Sequence, residues 1–434
     1  MAVVQDTSAH QEGISDMRIL QLGKFYPIRG GVEKVMWDLA RGLAERGSGD
    51  GFADADRSVQ YSDCGSAGVS CDMLCAMLPD DGIDEADKSL MTSGEGEWPR
   101  IMQFTAGSGR TEGNIAAANS RAAAIVPSRC ICVRAMAKKA ATMISPAMIS
   151  WLRRHAREYD LIDVHHPDPM ACLALRLSGY KGRVFVHWHS DILRQKGLLK
   201  LYTPFQNWLL KRAERIIGTT PVYVAESPWL KNFQNKVCHI PIGVDDTMRV
   251  RTDASDSRFV RIFSLGRLVE YKGYRYLVEA AARLPENYKV EIAGDGPLRD
   301  ELQMQIKTLG LENKVTLSGY LTDDEVRRKM NGCDVFVLPS VMKTEAFGIV
   351  QIEAMSCGKP VVATTIPGSG TSWVNAHGVS GLNVPPCDAK ALADAITAIC
   401  ENPETRAGFS RDARLRYERL FTLDEMVENY MKLI

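Results

Sequence analysis

Two patterns of apolar residues alternate along the chain. Short runs such as Val335-Phe336-Val337-Leu338 are apolar throughout, as expected of parallel strands buried on both faces. Longer stretches repeat apolar residues at three- and four-residue steps, as in Val32, Val35, Met36, Leu39 and Leu43. That spacing predicts a helix over 32–46, following a first strand at 17–23. Further strands are predicted at 69–76, 161–165, 183–187, 216–219 and 237–242. Ser145-Pro146 reads as an N-cap followed by proline at the first helical position, with a helix to about 159.

In the second half the alternation is more regular. Strands fall at 261–266, 289–294, 315–318, 335–339 and 360–364, with helices near 274–284, 298–309, 323–331 and 347–356. Helices near 388–401, 406–419 and 422–433 complete it. The pattern predicts an α/β protein with two doubly wound, Rossmann-like domains, at 17–245 and 258–415, joined by a polar link at 247–257. Residues 1–16 read as a disordered tail, and 48–67 and 106–129 as irregular insertions.

A chain of 434 residues is too long for one core, which agrees with two domains. Its 53 basic and 53 acidic residues balance, so no nucleic-acid partner is expected. No apolar run reaches the ~18 residues of a membrane span, and the N-terminus lacks signal-peptide features. A cytoplasmic location is expected. The helix predicted within 196–215 is basic at both ends. It fits either contact with the inner membrane surface, with Tyr202 and Trp208 at the headgroups, or an ordinary helix burying Leu198, Leu201, Leu209 and Leu210. The 11 cysteines lack zinc-type spacing and read as buried thiols.

The candidate chemistry centres on 339–360. Glu345 and Glu353 there stand eight residues apart. On one helix they would be ~12 Å apart along the axis and ~80° in azimuth. Such carboxylates cannot share a proton or a metal. They could grip opposite ends of a long ligand, with the helix N-terminus between them attracting an anion. A nucleotide sugar fits, although two solvated glutamates on a surface helix fit the spacing too. Arg267 and Lys272 follow the first strand of the same domain and suit a diphosphate. Gly294-Asp295-Gly296-Pro297 forms a tight turn where a base or ribose can come near. Gly30-Gly31, between a strand and a helix, lets a ligand approach the backbone. His165-His166 and His187-Trp188-His189-Ser190-Asp191 end two predicted strands, where open sheets bind ligands. They fit a ligand site or satisfied core histidines, and form no convincing zinc set. Asp54-Ala55-Asp56 follows no strand and makes a poor metal–diphosphate motif.

The segments GRLVEYKG, AGDGPLRDEL, VTLSGYL, DVFVLPS, TEAFGIVQIEAMSCGKPVVAT and GVSGLNVPP together resemble the retaining group-1 (family four) glycosyltransferases of the GT-B fold. The first half resembles them more loosely, through MRILQLGKFYPIRGGVEKV, YDLIDVHHP, VHWHSDI and IPIGVD, and departs from them at 48–67 and 106–129. The resemblance implies two Rossmann-like domains facing an interdomain cleft, with the C-terminal helix at 416–434 crossing back to the first. It implies that Arg267, Lys272, Gly30 and Gly31 line the donor diphosphate and that Gly294 and Gly296 lie near the nucleotide. Glu353, Ala346, Phe347 and Gly348 would meet ribose, sugar and phosphate. Glu345 and His189 would act at the transferred sugar. The implied reaction moves a hexose from a UDP- or GDP-sugar to a glycan or lipid-linked acceptor in cell-surface polysaccharide synthesis, with no metal and no cofactor. The alternatives are a nucleotide-sugar 2-epimerase or phosphorylase of the same fold, or a non-catalytic nucleotide-sugar-binding protein. No pyridoxal phosphate lysine context supports the phosphorylase.

Overall fold

A computed structural model describes residues 17–27, 31–47, 69–82, 88, 91–93, 97–103, 128–139, 142–192, 196–249 and 258–434. The tail 1–16, the stretch 48–67, most of 106–129, Gly30, Asp54, Asp56 and the link residues 250–257 lie outside this set. The chain divides by its own contacts into two compact units. One comprises 1–29, 40–164 and 170–183, the other 30–39, 165–169 and 184–434.

The strands are β1 (Met17–Phe25), β2 (Val69–Met77), β3 (Arg100–Gln103), β4 (Arg129–Arg134), β5 (Ala137–Lys139), β6 (Thr142–Ile144), β7 (Leu161–His166) and β8 (Arg183–Trp188). They continue as β9 (Arg215–Gly218), β10 (Val237–His239), β11 (Val260–Leu265), β12 (Tyr288–Ala293), β13 (Val315–Gly319), β14 (Val335–Leu338), β15 (Val361–Thr364) and β16 (Gly381–Val384).

In the first unit β7, β1, β2 and β4 pair in parallel in that order, and β3 runs antiparallel to β4. All nine residues of β2 are buried, as expected for a strand covered on both faces. Arg129 was expected at the end of an irregular stretch but begins β4. The salt bridge from its Nη2 to Asp72 Oδ2 (2.6 Å) and the bond from Cys71 N–H to Ser128 Oγ (2.9 Å) fix that strand's start. Sequence patterning missed β3 and β4, which are only four and six residues long, and β4 begins at the last residue of the stretch read as irregular. Ser145 caps its helix as predicted, its side chain accepting from Met148 N–H.

In the second unit β8, β9 and β10 pair in parallel, and a separate parallel sheet has the order β13-β12-β11-β14-β15-β16. In order of succession its strands read 3-2-1-4-5-6, the doubly wound arrangement of dinucleotide-binding folds. Its core packs Ile262, Val290, Val335, Val337 and Val362 against Leu277, Val278, Ile396 and Ile399 of the flanking helices. β16 was not predicted. It is short, carries Asn383 and begins at Gly381, whose added Cβ would sit 1.8 Å from Val361 O.

The helices Pro403–Leu420 and Leu423–Met431 close against residues 243–246. Val244 N–H donates to Phe421 O (2.9 Å) and Leu423 N–H to Val244 O (3.2 Å). Arg414 forks onto both carboxylate oxygens of Asp246, and Tyr430 meets Phe185 edge-on at 6.1 Å. The Lys196–Arg212 helix buries Leu209 and Leu210. Contrary to expectation Leu201 is exposed, and Tyr202 is buried alongside the His166 ring instead of reaching a membrane surface. Among the described residues no helix is long and apolar enough to cross a membrane.

Candidate active site

In the second unit's doubly wound sheet the order reverses between β11 and β14, which is where such sheets open a crevice at their carboxyl ends. The loops leaving these two strands carry Arg267, Lys272 and Glu345. They lock together: Val341 N–H donates to Tyr271 O (2.8 Å). Gly273 is left-handed (φ 68°), and a Cβ there would lie 2.1 Å from Pro339 O.

This locking buries Lys272 with Nζ 2.6 Å from Glu345 Oε2. Ser340 Oγ donates to the same oxygen at 2.9 Å. Burial alone would disfavour the Lys272 ammonium, but the Glu345 carboxylate prevails and its pKa is raised above the usual lysine value. Sequence reasoning placed these residues at opposite parts of a donor, one at phosphate and one at sugar. The structure joins them in a single buried ion pair. Arg267 is exposed and makes no ion pair among the described residues, so its guanidinium is open to an anion.

The predicted helix start near 347 falls slightly later, at Ile349–Ser356, because Gly348 takes a left-handed N-cap conformation (φ 77°). The N–H groups of Ala346, Phe347 and Gly348 meet no acceptor among the described residues. They form the orphan donors of a helix N-terminus. Gly370 N–H donates to Ala346 O (2.9 Å) and Ser369 Oγ to Glu345 O, holding the turn from below. Phe347 is buried edge-on against Phe421. Gly31 begins the Gly31–Gly47 helix, where a Cβ would stand 3.0 Å from Ile349 Cδ1. Its glycine therefore lets the two helix starts approach.

Glu353 is half-buried, and burial raises its carboxyl pKa. Lys34, itself 2.6 Å from Asp38, opposes the shift, and Asp38 reinforces it. The sign follows. A raised carboxyl pKa means the folded chain holds the proton more tightly than the unfolded one. Stability is then highest below the ordinary glutamate value of ~4.3 and falls as pH rises through the raised one. Glu353→Gln is expected to raise the melting temperature at neutral pH and leave it unchanged in acid. Thermal unfolding scans across that range check this, and equal melting at neutral pH would count against the charge being costly.

His189 is buried with Nε2 2.8 Å from His165 Nδ1. His187 stacks on both rings, at 5.1 and 4.7 Å between centroids. The structure thus gathers His165, His187 and His189, with ligand atoms within 4.8 Å of one another. The three ring planes lie 7–18° apart, and His165 and His189 meet edge to edge along their hydrogen bond. His166 stacks on Trp188 at 3.7 Å and bonds Gln206.

Sequence reasoning missed Asp191 and Lys343 as a pair. Asp191 Oδ1 accepts from Trp188 Nε1 (3.0 Å) and Ser227 Oγ (2.7 Å), and Oδ2 lies 3.2 Å from Lys343 Nζ. The pair ties the turn after β8 to the loop bearing Glu345. The residues lie on distant loops with no shared motif, so spacing could not reveal it.

Gly294 and Gly296 are explained by backbone packing. Both have positive φ, and a Cβ would sit 2.0 Å from Gly266 O or 2.5 Å from Leu268 O. Leu268 N–H donates to Asp295 O at 2.9 Å, so the two loops lie in direct contact.

The second unit thus joins a Rossmann-type switch point to a buried Lys–Glu pair and an open helix N-terminus. Residues 250–416 match the family of glycosyl transferases group 1, and 113–247 match glycosyltransferase family 4. The chain is 34% identical over 305 residues to O-antigen chain mannosyltransferase C of Escherichia coli, covering 68% of this chain and 80% of that one. It is 34% identical over 292 residues to D-rhamnosyltransferase WbpZ of Pseudomonas aeruginosa, covering 65% and 75%. The structure of Anabaena HepE in complex with UDP is similar in fold, with a TM-score of 0.68 and 20% identity over 96% of this chain and 99% of that one. The chain belongs to the group-1 glycosyltransferases and has the GT-B fold.

Proposed function

We propose that the chain is a retaining, metal-independent hexosyltransferase that takes a UDP- or GDP-sugar to a glycan or lipid-linked acceptor of a cell-surface polysaccharide. The observation that carries this reading is the Lys272–Glu345 pair at the sheet's switch point, beside the exposed Arg267 and the N–H groups of Ala346–Gly348. Arg267 and Lys272 would neutralise the leaving diphosphate, with the helix N-terminus adding partial positive charge. Glu345 would face the positive charge that develops at the anomeric carbon, with His189 at the same sugar. Glu353 would hold the ribose, and Gly30 and Gly31 the diphosphate side. The acceptor hydroxyl would attack from the face the nucleotide leaves, passing its proton to the departing phosphate oxygen. Two relatives named as mannosyl- and rhamnosyltransferases support a hexose donor and a polysaccharide setting. A cytoplasmic enzyme working beside the inner membrane surface fits such an acceptor.

The test is a melting-temperature screen against UDP-, GDP- and ADP-sugars, followed by transfer with the stabilising donor. A ligand that binds only the folded state raises the melting temperature. Arg267→Ala is expected to raise the donor KM roughly tenfold or more while leaving the fold intact, since a hydrogen bond to a charged group contributes about 1.5–3 kcal/mol. Inversion at the anomeric carbon by NMR, or abolition of activity by a chelator, would overturn the corresponding part of the proposal.

A further inference from the structure

The first unit's sheet brings three cysteines together in its interior. Cys130 and Cys132 lie two residues apart on β4, so their side chains share one face. Cys75 on β2 is the direct register partner of Cys132. The Sγ atoms form a triangle with edges of 3.4 Å (Cys75–Cys132), 3.9 Å (Cys130–Cys132) and 4.0 Å (Cys75–Cys130). All three residues are fully buried.

Three thiolates bound to one ion at a metal–sulfur distance of ~2.3 Å stand ~3.8 Å apart in tetrahedral geometry and ~4.0 Å apart in a trigonal plane. The observed triangle needs only its shortest edge to open by a few tenths of an ångström. Charge favours a divalent ion. Three thiols that bind it release three protons and leave a site of net charge −1. Arg100 lies opposite Cys132 in the β3–β4 register, with Nη1 3.6 Å from Met77 Sδ, and its positive charge acts on the Cys132 thiol. It can offset that charge, which a monovalent ion would leave at −2. The sulfur donor set selects a soft, thiophilic cation over magnesium or calcium.

We propose that Cys75, Cys130 and Cys132 form a structural binding site for a soft divalent d10 cation of the zinc and cadmium class. The site ties β2 to β4. Its role is structural and separate from the transfer reaction, for which the family resemblance implies no metal.

The experiment titrates the full chain with cadmium and follows the ultraviolet thiolate-to-metal charge-transfer band. One ion per chain is expected, with X-ray absorption at one equivalent showing three sulfur neighbours. Cys132→Ala and Cys75→Ala are expected to weaken binding at least tenfold. Cys387→Ser, at an exposed cysteine, is expected to leave the band unchanged. The X-ray measurement on the unaltered chain stands even if the alanine variants fail to fold. A shell dominated by nitrogen and oxygen, no band at all, or a band lost in Cys387→Ser but kept in Cys132→Ala would overturn the proposal.

Discussion

Glu345→Gln is expected to cut sugar transfer by roughly 10²–10³-fold, the scale seen when one preorganised electrostatic partner is removed from a reaction centre. The amide keeps the shape and can still accept from Ser340 Oγ, which now bonds Glu345 at 2.9 Å. It cannot balance Lys272 or face a positive anomeric carbon. The buried ammonium loses its partner at 2.6 Å, and breaking such a pair costs about 3 kcal/mol. Two assays separate these effects: donor turnover at saturating donor, and the unfolding midpoint. Because the Lys272 pKa is raised, the pair's contribution is fully present below the unfolded lysine value of ~10.4 and is lost only as pH rises past the higher folded value. The stability deficit of Glu345→Gln should therefore be flat from mildly acidic to mildly alkaline pH. Turnover within a few-fold of wild type would reduce Glu345 to a structural partner of Lys272.

Gly294→Ala is expected to destabilise strongly the unit that carries these residues. The backbone there has φ 124°, which L side chains rarely adopt, and the new Cβ would lie 2.0 Å from Gly266 O. The clash is with backbone, so no side chain can swing aside. Strain of about 1–3 kcal/mol for the backbone conformation adds to the displacement of the Gly266–Leu268 turn. A total of several kcal/mol lowers the melting temperature by roughly 10 °C. If the glycine instead served only ligand approach, the melting temperature would hold and the donor KM alone would rise. Thermal unfolding read beside donor KM distinguishes the two.

The repeating strands and helices of the second half were legible because each predicted strand ends at or beside a glycine or proline, as Val335–Leu338 does at Pro339. The boundaries came within a few residues. The helix start at Ile349 shifted because Gly348 acts as a left-handed cap, which spacing does not encode. Short elements such as β3 and β16 were missed, since four residues establish no period. Lys272 and Glu345 were legible as separate residues. Their pairing was not, because it depends on two loops at the switch point of a sheet whose strand order differs from chain order. The same holds for Cys75 and Cys132, which lie 57 residues apart and meet only through strand register.

The clasp of residues 243–246 by the C-terminal helices bears on how the chain folds during synthesis. Tyr417 Oη donates to Val244 O across 173 residues (2.8 Å), and Gly243 N–H reaches Met426 Sδ across 183. A Cβ on Gly243 would be 2.1 Å from Thr422 O, so this seam closes backbone against backbone. A nascent chain therefore cannot seal it when residue 246 leaves the ribosome. The seam stays open for the time needed to translate more than 170 further residues, roughly 10–30 s at about 5–20 residues per second. Val244 and Ile242, both buried in the finished fold, are exposed throughout that interval.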